Sequence, residues 1–221
     1  MSKITLLLIA LFTVSLTPFA TADISVTGTL TSDYVFRGIS QTDNSFAVQA
    51  GLNYEDKSGF YAGVWASNVD FSDDANAEID YLIGFSSQFS PSVTYDFSYT
   101  YITYTGYNSA DNSDYGEFIF NTYFNALTMT VAYAPDYVNS GDSAQYLSAA
   151  YDFYFPNEYL LKLQAGYSMG DAFEDNEYID YSATVAKTWN QFELTAAVIN
   201  TNIDHSNTAD LRFVFSIYRT F

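Results

Sequence analysis

Residues 159–167 read Tyr-Leu-Leu-Lys-Leu-Gln-Ala-Gly-Tyr, and this stretch decides the fold class. Every second residue from Tyr159 to Tyr167 is apolar or aromatic, whereas Lys162 and Gln164 fall on the opposite face. Strict alternation of this kind is typical of a β-strand with one apolar and one polar face. A charged residue on the polar face indicates a strand that separates lipid from a polar interior.

The same alternation recurs along most of the chain. In residues 46–54 apolar side chains alternate with Gln49 and Asn53, and the final run alternates around Arg212 before ending at Phe221. The pattern therefore predicts a series of short strands. They cover residues 24–35, 46–55, 59–68, 78–89, 92–104, 115–125, 127–135, 144–155, 159–169, 178–188, 191–201 and 209–221.

The connections between these strands alternate strictly between long and short, and they begin and end with a long one. Bacterial outer-membrane barrels have short periplasmic turns, longer outer loops and an even number of strands. The chain is therefore predicted to be all-β, a transmembrane antiparallel up-and-down β-barrel of about 12 strands with both termini in the periplasm. A β-sandwich has similar strand spacing, but it does not account for the alternation of loop length or for the terminal Phe221.

The first 22 residues are typical of a secretory signal peptide. Lys3 supplies the charged start, residues 4–16 form an apolar stretch, and a small-residue cleavage site ends at Ala22. We expect residues 1–22 to be removed and residues 23–221 to form one outer-membrane barrel domain. No later stretch approaches the roughly 18 consecutive apolar residues of a spanning helix, which excludes a helical membrane protein.

Composition supports the same class. The chain has 21 Tyr and 19 Phe, as expected for a barrel with aromatic girdles at both membrane interfaces. Its 26 acidic residues against 7 basic ones disfavour nucleic acid as a partner and favour cationic solutes. The absence of cysteine excludes a disulfide framework and a lipid anchor on an N-terminal cysteine.

Two segments near the start carry a family resemblance. Residues 32–42 read Ser-Asp-Tyr-Val-Phe-Arg-Gly-Ile-Ser-Gln-Thr, residues 59–68 read Gly-Phe-Tyr-Ala-Gly-Val-Trp-Ala-Ser-Asn, and residues 78–81 read Glu-Ile-Asp-Tyr. Together they resemble the signature of the TorF-type family, a proteobacterial group of hypothetical porins. The resemblance is sharpest over residues 32–85 and implies an outer-membrane barrel without an established substrate or catalytic residue.

The end of the chain bears on how such a barrel would be assembled. Terminal strands recognised by the barrel-assembly machinery resemble one another in ending on Phe, with an aromatic or apolar residue two positions earlier. Here Phe221 is in place, but Arg219 occupies the earlier position. We expect the barrel-assembly machinery and outer-membrane lipid to be partners of the protein, with a slightly weakened assembly signal.

The polar strand faces supply candidate pore-lining residues: Glu78, Asp80, Asp96, Glu117, Asp152, Lys162, Asp180, Glu193 and Arg212. Carboxylates along a pore admit cations and resist anions. Alternatively, the basic residues and tyrosines fill the interior, because a barrel of this size lies between filled small barrels and open porins. Arg37, at the rim of the first long loop, would either form the constriction or pin that loop to the wall.

The long loops suggest further sites, each weaker. The segment from Asp111 to Gly116 begins like a calcium loop, but Thr122 stands where the closing Glu belongs. His205 lies next to Ser206, yet adjacent loop residues do not converge as a triad and no Gly-x-Ser-x-Gly elbow is present. We expect no catalytic residue, no cofactor and no metal site. The loop carboxylates, which include Asp175, are expected to be solvated.

Three functions follow from this reading. The first is a passive channel in the Gram-negative outer membrane for small cationic or neutral solutes. The second is a non-conducting, plugged barrel whose acidic outer loops bind a partner or a cation. The third is a barrel enzyme that uses His205. Neither the solute nor the oligomeric state can be read from the sequence.

Overall fold

The computed structural model describes residues 23–107, 112–174 and 176–221. The predicted signal peptide over residues 1–22, together with Asp111 and Asp175, lies outside the described residues. Within the described part of the chain, no helix is long and apolar enough to cross a membrane.

A closed antiparallel sheet makes up almost the whole fold. The strands are β1 (Asp23–Thr31), β2 (Val35–Phe36), β3 (Ile39–Ser40), β4 (Ala47–Glu55), β5 (Phe60–Asn68), β6 (Ala77–Ser90), β7 (Val93–Thr105), β8 (Tyr115–Phe124), β9 (Leu127–Ala134), β10 (Ala144–Phe155), β11 (Tyr159–Met169), β12 (Tyr178–Trp189), β13 (Phe192–Thr201) and β14 (Arg212–Thr220). Two single 3₁₀ turns lie in loops, at Tyr137–Asn139 and Asp171–Phe173.

The predicted barrel of twelve antiparallel strands is confirmed. All strands except β2 and β3 form the wall, where each pairs with its neighbours in the chain and β1 closes the ring between β4 and β14. Both ends of the described chain lie at the end of the barrel that carries the short turns. This follows from the register, since Asp23 pairs with Glu55 and Thr27 pairs with Thr220.

Alternation along each strand separates an apolar outer surface from a polar interior. In β11, Leu163 is 44% exposed on the outside, whereas the preceding Lys162 is only 3% exposed on the inside. A one-residue slip in register would exchange the two faces. Since a lysine facing lipid near the midplane costs about 2–4 kcal/mol, the sequence specifies the register strongly.

The first long loop differs from the prediction, because it folds into the barrel. Strand β1 ends at Thr31, not at residue 35, and the chain turns inward as the Thr31 hydroxyl donates to the carbonyl of Asp33 at 2.8 Å. Residues 32–46, which we call the plug, contain the hairpin of β2 and β3. The hairpin satisfies backbone groups that would otherwise be buried without partners.

The last strand is also shorter than predicted. Strand β14 begins at Arg212, three residues later than expected, because residues 202–211 belong to a loop that supports the plug. In that loop Thr208 accepts a hydrogen bond at its carbonyl from the backbone N–H of Ser40 at 2.8 Å. The plug is held at a second edge by a parallel bridge between Thr42 and Asp70.

Candidate functional site

The polar interior of the barrel is the candidate site, and Arg37 lies near its long-loop end. Its guanidinium donates to both carboxylate oxygens of Glu117, at 2.8 and 2.7 Å. It also lies over the rings of Phe36 and Tyr146, 4.6 and 4.3 Å from their centroids. Both bonds come from the same nitrogen, Nη2, and the Arg37 and Glu117 side chains are only 8% and 3% exposed, so this is a buried ion pair.

Arg37 stays protonated in this buried position. Burial by itself lowers the pKa of the guanidinium, but the adjacent Glu117 carboxylate raises it, and the net pKa lies above its usual value. Arg37 therefore joins the plug to strand β8 as a permanent cation. This contact fastens the plug to the wall, and whether Arg37 also forms a constriction stays a prediction.

A second contact between plug and wall is made by Tyr34. Its hydroxyl donates to Glu78 on β6 at 2.9 Å, and its ring packs edge-on against Trp65 with centroids 5.2 Å apart. Next to this contact lies a cavity of about 20 Å³, which Asp80 and Thr100 also line. At this volume the space between plug and wall holds roughly one water-sized ligand.

Asp33 anchors the start of the plug. Its carboxylate accepts from Nη1 of Arg212 at 3.0 Å and from the hydroxyls of Ser40 and Thr42 at 2.6 and 3.0 Å. The same guanidinium nitrogen donates to Asn44 at 3.0 Å, so Arg212 holds both ends of the plug. Asp33 was not among the predicted site residues, and its only signal in the sequence is an acidic residue on the polar face of the first alternating run.

The tip of the plug needs a glycine. Gly38 has φ of +83°, and a Cβ there would lie 2.5 Å from Cγ2 of Thr201 and 2.8 Å from Cβ of Asp180. On the wall beside it, the hydroxyl of Tyr146 donates to Asp180 at 3.3 Å. Gly166 makes room for Tyr146, whose hydroxyl would lie 2.1 Å from a Cβ at that position.

The short-turn half of the interior is organised by the wall itself. The Asp96 carboxylate accepts from the Tyr61 hydroxyl at 2.6 Å and from the Asn121 amide at 3.1 Å. Lys162 and Asp152 are paired across β10 and β11, with 3.7 Å between nitrogen and oxygen. These partners all come from strands, so the wall alone provides the contacts of these buried charges.

The predicted pore-lining residues all lie on inner strand faces, and all except the half-buried Glu193 are buried. Glu117 forms an ion pair with Arg37, and Arg212 forms one with Asp33. Glu78 and Asp80 line the same cavity. Whether these residues line a conducting path stays a prediction. The sequence suggested tyrosines as interior groups but did not identify Tyr34, Tyr61 or Tyr146, because tyrosine is so frequent in this chain that no single one stands out.

The structure describes only part of the sites considered in the long loops, because Asp111 lies outside the described residues. Among the described residues, no group of three or more His, Cys, Asp or Glu side chains is arranged to hold a metal ion. His205 is exposed with φ of +59°, and the hydroxyl of Ser206 pairs with that of Thr208 at 3.2 Å.

Residues 16–221 match the model of a family described as "Bacterial protein of unknown function (Gcw_chp)". The chain belongs to this family. The barrel of this Gcw_chp protein extends over nearly all of the residues that match the family model. No curated protein sequence matches the chain.

Solved structures similar to this Gcw_chp protein include two porins. The KdgM porin, alone or in complex with disordered oligogalacturonate, superposes with a TM-score of 0.57 at 10% identity, covering 91% of this chain and 99% of that one. The NanC porin gives a TM-score of 0.56 at 8% identity, covering 90% and 99%. At these identities the likeness establishes a shared barrel fold.

Proposed function

We propose that this Gcw_chp protein is a porin-like channel of the Gram-negative outer membrane, closed by its plug in the conformation described here. The observation that carries the proposal is how the plug is held. Its side chains contact the wall through Arg37 to Glu117, Tyr34 to Glu78 and Asp33 to Arg212, and it is not part of the barrel ladder. Between backbones, it bonds to β14 at its first residue, Ser32, and otherwise to the neighbouring loops. A loop held in this way can leave the lumen while the wall stays intact.

Location in the membrane is supported by the outer surface. Large apolar and aromatic side chains are exposed on every wall strand, and in water so extensive an apolar surface would cause aggregation. In lipid the closed ladder leaves no strand edge unpaired. The proposal places the short turns and both termini in the periplasm and the long loops outside the cell. A signal peptide, the barrel-assembly machinery and the TorF-type assignment stay predictions.

A preference for cationic or neutral solutes is the finer part of the proposal. The buried carboxylates of the interior outnumber the buried bases, which are Arg37, Lys162 and Arg212. Outside the plug, the long loops contain acidic residues and no Lys or Arg. An acidic entrance above an acidic wall concentrates cations and repels anions.

The test is a single-channel recording of the mature barrel in a planar bilayer under a salt gradient. We expect a reversal potential that favours cations and shifts toward zero when Asp80, Asp96 and Asp180 are replaced by Asn. Openings with the opposite selectivity, or a triple variant with unchanged reversal potential, would remove the cation preference. A folded barrel that never opens would remove the channel.

A second candidate is a non-conducting barrel whose acidic loops bind a partner. It is favoured by the burial of the short-turn half, where Asp152, Lys162 and Asp96 are almost inaccessible although no loop covers them. Under this alternative the interior is a structural core. Deleting a long loop other than the plug would then abolish partner binding and leave the barrel folded.

A further inference from the structure

Arg219 places a positive charge on the outer face of the barrel wall. It shares its face of β14 with the exposed side chains of Phe213 and Phe215. Its guanidinium carbon lies 4.3 Å from the ring centroid of Phe221 and 5.6 Å from that of Phe192. Aromatic rings attract a cation that lies over their faces. The two rings therefore hold the base of Arg219 on the surface that the proposed function turns toward lipid.

No acidic partner for this guanidinium is found in the part of the chain that the structure describes. The salt bridges found there all belong to interior bases. Nε of Arg219 is closed off from solvent and has no hydrogen-bond partner among the same residues. Glu193 is close in the register, but it lies opposite Tyr218 and faces the interior. A cation on an apolar surface without a counter-charge is unfavourable, so this one calls for an anion from outside the chain.

The depth of Arg219 matches the level of lipid headgroups. It lies near the end of β14, and the ring beside it, Phe192, is opposite Trp189 across the short turn that joins β12 to β13. Trp189 is exposed, as is Tyr159 at the start of β11. Trp and Tyr are enriched at the headgroup level of membranes. In the proposed orientation this level belongs to the periplasmic leaflet, and the inference rests on that orientation.

Basic side chains outside the interior are confined to this end of the barrel. Apart from the three interior bases, residues 23–221 contain only Lys57, Lys187 and Arg219. Lys57 lies in a short turn, and Lys187 is two residues from the end of β12. The Lys187 ammonium already donates to the carbonyl of Asn157 and lies 4.7 Å from the ring centroid of Tyr159. Lys187 is therefore satisfied within the chain, whereas Arg219 is not.

An open notch lies beside the guanidinium. Gly28 on β1 is opposite Arg219, and a Cβ at Gly28 would meet no other atom within 4 Å. The next outward-facing residues along β1 are Val26 and Leu30, both apolar and exposed. The notch therefore has apolar sides and a cation at its edge. This arrangement is complementary to a phospholipid, which has an acyl chain next to a charged phosphate.

We propose that Arg219 and the notch at Gly28 bind an anionic phospholipid. The guanidinium donates to the phosphate oxygens, for which its planar fork of N–H groups is well suited. An acyl chain lies in the notch between Val26 and Leu30. A headgroup with a net negative charge is preferred, because a zwitterionic headgroup brings a cation of its own.

A lipid in this position would strengthen the seam that closes the barrel. Strand β1 pairs with β14 from Thr27 to Thr31, whereas it pairs with β4 along its whole length from Asp23 to Thr31. The lipid would contact Arg219 on β14 and Gly28 on β1, so it would join the two strands at this shorter seam. The inference goes beyond the proposed channel, because the site lies outside the lumen and binds lipid whether or not the barrel conducts.

The test is native mass spectrometry of the mature barrel, refolded in micelles of a neutral detergent. Dimyristoyl phosphatidylglycerol and dimyristoyl phosphatidylcholine are added at equal concentrations, and thermal unfolding is followed in parallel. We expect phosphatidylglycerol to bind in preference and to raise the unfolding temperature, because a ligand that binds only the folded state stabilises it. Inorganic phosphate at the same concentration should neither displace the lipid nor raise the unfolding temperature.

Variants locate the site. Arg219→Ala should lower the affinity for phosphatidylglycerol by about tenfold, as expected for loss of a hydrogen bond between charged groups. Gly28→Leu keeps the charge but fills the notch, so it should also weaken binding. The matched control is Lys187→Ala, which removes one charge from the same outer face but from a base already bonded to Asn157, and it should bind like the wild type. If Arg219→Ala fails to fold, Gly28→Leu carries the comparison.

Four results would overturn the inference. The folded wild-type barrel could bind phosphatidylglycerol no better than phosphatidylcholine. Affinity could be unchanged in both Arg219→Ala and Gly28→Leu, which would assign the lipid to another part of the surface. Lys187→Ala could weaken binding as much as Arg219→Ala, which would show a general effect of charge. Inorganic phosphate could displace the lipid, which would make the site one for a soluble anion. None of these measurements depends on conductance, so they are separate from the test of the channel.

Discussion

The two halves of the barrel interior bury similar charged groups by different means. At the long-loop end, wall carboxylates such as Glu117 are matched by side chains from the plug, above all Arg37. At the short-turn end, Asp152 is matched by Lys162 and Asp96 by Tyr61, all of which belong to strands. The carboxylates at the long-loop end can therefore lose their partners when a loop moves. Those at the short-turn end cannot lose theirs unless the wall itself is disrupted.

Removing Arg37 should have the largest effect of any single substitution. Arg37→Ala leaves Glu117 buried without its cation, and breaking a buried ion pair typically costs about 3–5 kcal/mol. We expect a loss of that order in the free energy of unfolding, measured by urea denaturation in micelles. We also expect more frequent channel openings in planar bilayers, because the plug loses its firmest contact.

Two controls sharpen this result. Arg37→Lys keeps the charge but lacks the planar guanidinium that lies over the rings of Phe36 and Tyr146, so its effects should be intermediate. Lys57→Ala removes an exposed charge from a short turn and should change neither stability nor conductance. If Arg37→Ala behaved like Lys57→Ala, the ion pair would not hold the plug.

Lys162→Met provides the contrast in the other half. It leaves Asp152 buried without its strand partner, so a stability loss similar to that of Arg37→Ala is expected, about 3–5 kcal/mol. Because no loop is released, channel openings should stay as rare as in the wild type. An increase in openings equal to that of Arg37→Ala would erase the distinction between the two halves.

Gly38→Ala should have a moderate effect. A residue with a side chain in the left-handed region is strained, at about 1–3 kcal/mol, and here the added Cβ would also meet Thr201 and Asp180. We expect a lower unfolding temperature, together with faster proteolysis within the plug as its tip is displaced. Gly141→Ala is a suitable control, since it also has positive φ but its Cβ would meet open space. Equal proteolysis of the two variants would count against close packing of the plug tip.

The smallest effect is expected far from the interior, at Asp56 in the first short turn. The hydroxyl and the backbone N–H of Ser58 donate to its carboxylate and lower its pKa. A carboxyl group whose pKa is lowered by folding stabilises the folded state at any pH above its pKa in the unfolded chain. That stabilisation is lost as the pH falls through the folded-state pKa. The small difference in stability between wild type and Asp56→Ala should therefore disappear in acid, as measured by urea denaturation across a pH series.

The wall could be predicted from the sequence because each strand carries its own evidence. In β11 and β4 the alternation of apolar and polar residues is local, and it predicts both the element and the face. The plug could not be predicted in this way. Tyr34 and Phe36 continue the alternation of β1, and periodicity does not distinguish an apolar side chain facing lipid from one packed inside the lumen.

The contacts between interior side chains could not be predicted from the sequence, for a related reason. Lys162 and Asp152 pair across one hairpin, so strand register alone places them together. Arg212 and Asp33 are separated by 179 positions, and they meet only because the barrel closes and the plug folds inward. Inward-facing residues could therefore be named from the alternation, whereas their contacts with the plug could not.

The most direct test of the account compares the wild-type barrel with one whose plug, residues 32–46, is replaced by a short Gly-Ser link. Both would be refolded, checked for barrel structure by circular dichroism, and recorded as single channels in planar bilayers. On this account we expect rare, brief openings for the wild type and frequent conductance steps for the variant lacking the plug. A folded variant that stays as silent as the wild type would contradict it, because the interior would then be closed by the wall alone.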